Sequence, residues 1–255
     1  MQLLTSVLLL IAGLVTGFID SIAGGGGLIS LPSLGFVLGL GPHAIGTNKI
    51  VGTMAAAVAL WVYARRGHFQ IKQSLVFTVC ISIGAFLGSR LSPFIPPHFF
   101  KIFLLLSCPL LLWVVWKKDL WIGTLHPKSK TGWVSLVLVI TSGVAVGFYD
   151  GLWGPGGGTF MLLSLLFIVK LPLLQALAAS KFANTVSAGT SLISYASQGF
   201  VHWPEGITMA IAVTVGAYFG ARLTSRPDSK HATRFVRVAL GVVATLLAIK
   251  LIFLS

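Results

Sequence analysis

An aspartate followed four residues later by a cluster of glycines occurs twice in this chain, 130 positions apart, each time inside a long apolar stretch. The first copy reads Gly17-Phe18-Ile19-Asp20-Ser21-Ile22-Ala23-Gly24-Gly25-Gly26-Gly27. The second reads Gly147-Phe148-Tyr149-Asp150-Gly151-Leu152-Trp153-Gly154-Pro155-Gly156-Gly157. A further pair, Gly84-Ala85-Phe86-Leu87-Gly88-Ser89-Arg90-Leu91 and Gly216-Ala217-Tyr218-Phe219-Gly220-Ala221-Arg222-Leu223, recurs at nearly the same interval. Glycine runs break helices, and a charge in an apolar segment is expensive unless it is partnered or used. Matched breaks in two halves are the pattern of a site placed between structural repeats.

The apolar setting is that of a membrane protein. Of the 255 residues, 56% are hydrophobic and only 9% charged, against about 25% charged in soluble domains. Ten apolar segments are read at 3–19, 28–40, 47–64, 73–91, 99–116, 133–149, 158–169, 173–196, 206–223 and 235–254. Crossing the hydrocarbon takes about 20 helical residues, so the second and seventh are half-length. The runs are too continuous for a β-barrel. The fold expected is all-α, a polytopic helical protein of about 8–10 membrane segments in the cell (inner) membrane. The first segment lacks a basic n-region and its end is copied in mid-chain, so it reads as a retained helix rather than a signal peptide. Cys80 and Cys108 lie in apolar runs, and no zinc-ligand spacing occurs; neither a disulfide, a metal nor a cofactor is expected.

The halves divide at a polar linker, giving a first repeat over 1–118, a linker over 119–131 and a second repeat over 132–255. If all five segments of a half cross, the repeats are inverted, and the basic loops around 65–72, 117–130 and 224–234 share one side. The positive-inside rule favours that arrangement, with those loops cytoplasmic. A net charge of +13 then reads as anchoring to anionic lipid and as a field favouring anionic substrates. Nucleic-acid binding is not expected, because the basic residues sit in short loops.

Four glycines in near succession, at Gly24, Gly25, Gly26 and Gly27 and again at Gly154, Gly156, Gly157 and Gly158, cannot hold a helix in register, and Pro155 removes a further donor. The chain is expected to open at both and to start a short helix near Leu28 and Thr159. Backbone opened at membrane depth must be buried in protein or line a wet cavity, and a half-helix start there attracts anions. The competing reading is that the glycines only permit close helix packing. Asp20 and Asp150 have two open roles: proton carriers for coupled transport, or structural groups that cap the break or pair with a buried lysine. Lys49 and Lys181 fall on one another in the repeat alignment, beside Thr47 and Asn48 in one half and Ser180, Asn184 and Thr185 in the other. Together these offer two ammonium groups with hydroxyl and amide donors to one oxyanion; the alternative is snorkelling to the interface.

Two lookalikes are set aside. Gly41 to Gly46 lacks the ending of a phosphate loop, and His43, His68, His98, His126, His202 and His231 sit mostly at span ends, where they read as solvated. The motif set (the first glycine cluster, Gly46-Thr47-Asn48-Lys49, Arg65-Arg66-Gly67-His68 and Gly216-Ala217-Tyr218-Phe219-Gly220-Ala221-Arg222) resembles the sulfite exporter TauE/SafE family, also called toluene-sulfonate uptake permeases. The resemblance implies a duplicated helical module that moves small sulfur-containing or organic anions such as sulfite, sulfonates or sulfoacetate. Pro155 and Ala179-Ser180-Lys181 depart from the first copy, so the two half-sites are not equivalent. The residues alone leave three functions open: a secondary transporter, a passive anion channel, and an integral membrane enzyme, the last disfavoured by the shortage of acids. They also leave direction, coupling ion and any homo-oligomer open.

Overall fold

The computed structural model describes residues 2–96, 98, 99, 102 and 133–225. The polar linker and the apolar segments at 99–116 and 235–254 lie essentially outside the described residues. The other eight segments are helices: α1 (Gln2–Ala23), α2 (Gly27–Leu38), α3 (Pro42–Arg65), α4 (Ile71–Leu91), α5 (Trp133–Leu152), α6 (Gly157–Phe167), α7 (Leu173–Ser197) and α8 (Trp203–Thr224), with a 3-10 turn at Ser92–Phe94. No strand occurs among the described residues. Five helical stretches are long and apolar enough to cross a membrane: Leu4–Ile22, Pro42–Arg65, Ser74–Phe94, Ser135–Leu152 and Trp203–Thr224. α7 has the length, at 25 residues, but carries Ser180, Lys181, Asn184 and Ser187 in its buried face. α2 and α6 are half-length, with 12 and 11 residues.

Helix α3 starts earlier than the apolar pattern suggests. Pro42 occupies its first turn, where a missing N–H costs nothing, and Thr47, Asn48 and Lys49 become buried helical positions two turns in.

Pairs of glycines bring α1 onto α8 and α4 onto α5. Gly13 lies against Met209 and Ala212, Gly17 against Val213 and Ala217, and Gly220 against Phe18 and Ser21. Gly143 lies against Cys80, Gly147 against Ile81, and Gly151 against Ala85. These are small-xxx-small contacts, in which backbones approach too closely for a side chain. The repeated Gly84/Gly88 and Gly216/Gly220 motifs are packing devices of this kind.

Contact register fixes the helix directions. Numbers rise together along α1 and α8, and along α4 and α5. They rise together on α3 and α8, where Thr47 and Ile50 meet Gly206 and Trp61 meets Tyr218. They also do so on α4 and α7, through Ser82 with Thr190 and Ser89 with Gln198. α3 and α7 oppose one another, with Gly46 against Tyr195 and Gly52 against Ala188. Thus α1, α3 and α8 run one way and α4, α5 and α7 the other. Between the parallel α1 and α3 the chain must return, and α2 makes that return as a half-length helix. The buried core lies around α3 and α7, with Val51, Leu31 and Tyr195 in one cluster and Leu162, Leu177 and Tyr63 in another. The outer face is apolar at Ile11, Val79, Phe86, Val137 and Phe219, as a lipid-facing surface is.

Candidate functional site

Both glycine clusters break the helices that precede them. α1 ends at Ala23 and α2 begins at Gly27; Gly24 takes a φ of 81°, a left-handed conformation natural only to glycine. In the second half Gly154 and Gly156 have φ of 102° and 80°. The two breaks touch. A Cβ on Gly24 would come within 2.6 Å of the Gly158 carbonyl carbon, and one on Gly27 within 3.1 Å of the Pro155 Cα. The glycines therefore serve both the turn and the approach of one half to the other.

Each carboxylate before a break is held by the lysine of the opposite half. Lys181 Nζ stands 2.9 Å from Asp20 Oδ2, and Lys49 Nζ stands 3.2 Å from Asp150 Oδ2. Each ammonium also donates to the backbone carbonyl oxygen of the same aspartate. All four side chains are buried: Asp20, Lys49, Asp150 and Lys181 are 6%, 3%, 4% and 1% exposed. Neither lysine snorkels. The remaining acceptors differ between the pairs. Asp20 Oδ1 takes the Gly26 N–H at 3.3 Å, so this acid caps the break. Asp150 Oδ2 takes the Ser187 hydroxyl at 2.6 Å.

A cavity of about 30 Å³ lies between the breaks. The first half lines it with Asp20, Gly24, Gly27, Asn48 and Lys49, and the second with Asp150, Gly154, Gly156, Gly158 and Asn184. Thr16, Ser30, Gly52, Ala55 and Ala188 complete the wall. The hydroxyl oxygen of Thr16 and the side-chain oxygen of Asn48 are buried there without a hydrogen-bond partner, and an unpaired buried polar atom is costly unless water or a ligand meets it.

The other sequence-selected residues stand behind this wall. Lys181 lies behind Asp20; Gly25 offers its carbonyl to Leu28 N–H at 3.1 Å; Gly26 caps α2; Gly157 packs on the Asp150 side chain. Ser180 donates to the Leu177 carbonyl at 2.8 Å. Thr47 donates to the His43 carbonyl and accepts the His202 N–H at 2.9 Å. His43 and His202 stand at the entrance of α3 and α8 with ring nitrogens 3.2 Å apart.

Two tyrosines escaped the sequence reading. Tyr63 donates to the Ser21 carbonyl and Tyr195 to the Gly151 carbonyl, each at 2.9 Å. Both are buried and satisfy the carbonyl next to a paired aspartate. The signal was present, since each tyrosine follows its lysine by 14 residues. Thr16, Ser30 and Ser187 have no polar counterpart in the other half and left no such signal.

Apolar helices packed through glycines, with paired charges and a small polar cavity at two facing breaks, are the architecture of a multi-pass membrane protein with a buried polar site, and the matches to a known family and its relatives make it a membrane transporter. Residues 9–251 match the family described as sulfite exporter TauE/SafE, and the chain belongs to that family. It is 32% identical to the probable membrane transporter protein ORF9 of Sinorhizobium sp over 246 residues, covering 96% of this chain and 91% of that protein. It is 28% identical to the probable membrane transporter protein YfcA of Escherichia coli (strain K12), over 98% of this chain and 90% of the relative. A probable membrane transporter protein of Haemophilus influenzae is 30% identical over 85% of this chain and 84% of its own length. No solved structure matches the chain.

Proposed function

We propose that the protein is a secondary transporter of small sulfur-containing oxyanions in the inner membrane. It is built from inverted repeats over 1–118 and 132–255, joined by the linker 119–131. The opposed directions of α3 and α7, and of α1 and α5, support that arrangement. The substrate sits in the cavity between the breaks. The observation that carries the reading is the pair of crossed ion pairs at its wall: an oxyanion entering there competes with a carboxylate for an ammonium already in place. An anion that draws Lys49 away leaves Asp150 as the candidate proton carrier, which would link the two fluxes. The unpaired Thr16 hydroxyl and the Asn48 amide supply further polar contacts, and the opened backbone of the breaks is poised to add N–H donors.

Size favours the smallest members of the substrate class. A water takes at least about 10–15 Å³ of such space, so the cavity holds on the order of two waters. Sulfite is closer to this than an aromatic sulfonate is. The experiment is uptake and efflux in proteoliposomes with sulfite, sulfoacetate, an aromatic sulfonate and a phosphonate, under an imposed pH gradient. Saturable sulfite flux that follows the gradient is expected. Flux that neither saturates nor responds to pH would make the protein a passive channel.

A further inference from the structure

On the outer face of the helix pair α3 and α8 lies a groove of about 730 Å³, walled by Val58, Trp61, Val215, Tyr218 and Phe219. The Trp61 and Tyr218 rings are 6.2 Å apart. One turn beyond each ring stands an arginine. The Arg65 guanidinium lies 4.3 Å over the Trp61 ring, and the Arg222 guanidinium bonds the Tyr218 hydroxyl at 3.2 Å. α3 and α8 are parallel, so both cations stand at the same end of the groove. Both are exposed. The ion pairs found among the described residues use Lys49 and Lys181, so neither guanidinium has a carboxylate partner among the described residues.

The corresponding helix pair in the other half keeps only a reduced form of this arrangement, with the Arg90 guanidinium 5.3 Å over the Phe86 ring. At the 132-residue offset that relates Lys49 to Lys181, Trp61 becomes Ile193, Tyr218 becomes Phe86 and Arg65 becomes Ser197; only Arg222 keeps its counterpart, Arg90. There Ser82 and Thr190 share a hydrogen bond at 3.0 Å between the helices. Apolar lining alone would serve any surrounding lipid and would be needed equally in both halves. The aromatic rim and the second cation are confined to one end, and that end also carries Arg66 and Lys72. Indole and phenol groups settle at the headgroup level, and a pair of exposed arginines there favours anionic phosphate.

From this we infer that the α3–α8 groove is a specific binding site for an anionic phospholipid, with acyl chains between Val58, Val215 and Phe219 and the phosphate between Arg65 and Arg222. The site is independent of the transported substrate.

The test uses the purified full chain and native mass spectrometry, titrated with phosphatidylglycerol and, separately, with phosphatidylcholine. Phosphatidylglycerol should be retained preferentially. Arg65→Gln and Arg222→Gln should each weaken that retention roughly five- to tenfold, while Arg90→Gln leaves it unchanged. Replacing Trp61 by Ile and Tyr218 by Phe, the residues of the other half, should weaken it without altering the charge. These positions are exposed; Arg65→Lys with Arg222→Lys supplies a charge-preserving control should the glutamine variants fail to fold, and it should retain the lipid preference. Equal retention of the two lipids, or retention unchanged in the Arg65→Gln, Arg222→Gln protein, overturns the proposal. So does a gain in melting temperature from inorganic phosphate alone that depends on both arginines, which would mark a free-anion site. A dimer that dissociates on the same substitutions overturns it too, by giving the groove to a second copy.

Discussion

Removing Lys181 separates a structural ion pair from a dispensable one. The Lys181→Met variant keeps the length and apolar bulk of the side chain but leaves Asp20 buried with a single remaining neutral donor, the Gly26 N–H. Breaking a buried pair by deleting one partner costs about 3–5 kcal/mol. The Lys181 bond to the Asp20 carbonyl is lost as well, so this variant belongs at the upper end. Asp20→Asn is milder. The amide oxygen still accepts from Gly26, and the ammonium keeps the backbone carbonyl as a partner. The double variant Asp20→Asn, Lys181→Met has no stranded charge and should be more stable than Lys181→Met, despite carrying one substitution more.

The assay is thermal unfolding of the purified protein in a neutral detergent. For a chain of this size each kcal/mol corresponds to roughly 2–4 °C, so Lys181→Met should melt about 6–20 °C below the parent protein. Much of that loss should return in the double variant. Substitutions at touching residues do not add when one relieves the other. If the double variant melts at the sum of the two single losses, or if Lys181→Met melts within a degree of the parent, the pair is not what holds the halves together.

The remaining expectations concern separate parts of the same site. Lys49→Met should weaken sulfite binding by roughly ten- to a hundredfold, the worth of a charge-assisted contact, whereas Lys181→Met, in protein that still folds, should weaken it less; isothermal titration of both decides. Tyr63→Phe and Tyr195→Phe each leave a buried carbonyl unmet, and each should destabilise by about 1–3 kcal/mol in the same melting assay. Gly24→Ala meets both a left-handed φ and a Cβ placed 2.6 Å from Gly158; it should abolish transport, while Gly189→Ala, with nothing within 4 Å of the added carbon, should not.

Much of this fold was legible because membrane helices are written in apolar runs. The eight described helices fall on eight of the segments read, and the half-length α2 and α6 follow from Gly24–Gly27 and Gly154–Gly158. Which helices pack together was harder. Gly84 and Gly88 were visible as a repeated motif, but only close approach in three dimensions tells that they seat α5. Lys49 and Lys181 could be suspected of burial, and pairing with an aspartate was one of two roles considered for Asp20 and Asp150. That each lysine would take the aspartate of the opposite half depends on α3 and α7 running against one another. No residue spacing within one half carries that information.

The two ion pairs occupy matching positions without being equivalent, and their difference assigns them different work. Lys49 lines the cavity, while Lys181 stands behind Asp20. Asp150 shares the oxygen that holds Lys49 with the Ser187 hydroxyl. It therefore keeps an acceptor contact if the ammonium turns to a substrate. Asp20 links Lys181, through one oxygen, to the Gly26 backbone at the start of α2, through the other, so a shift of this carboxylate would move the break itself. An anion in the cavity meets the Lys49 ammonium at the wall, whereas Lys181 is screened from it by Asp20. Under the proposed function, the Asp150–Lys49 pair is the one expected to open during transport, with the Asp20–Lys181 pair as the fixed joint between α1 and α7. A symmetric site would have neither a preferred direction of opening nor a pair left to hold the halves while the other yields.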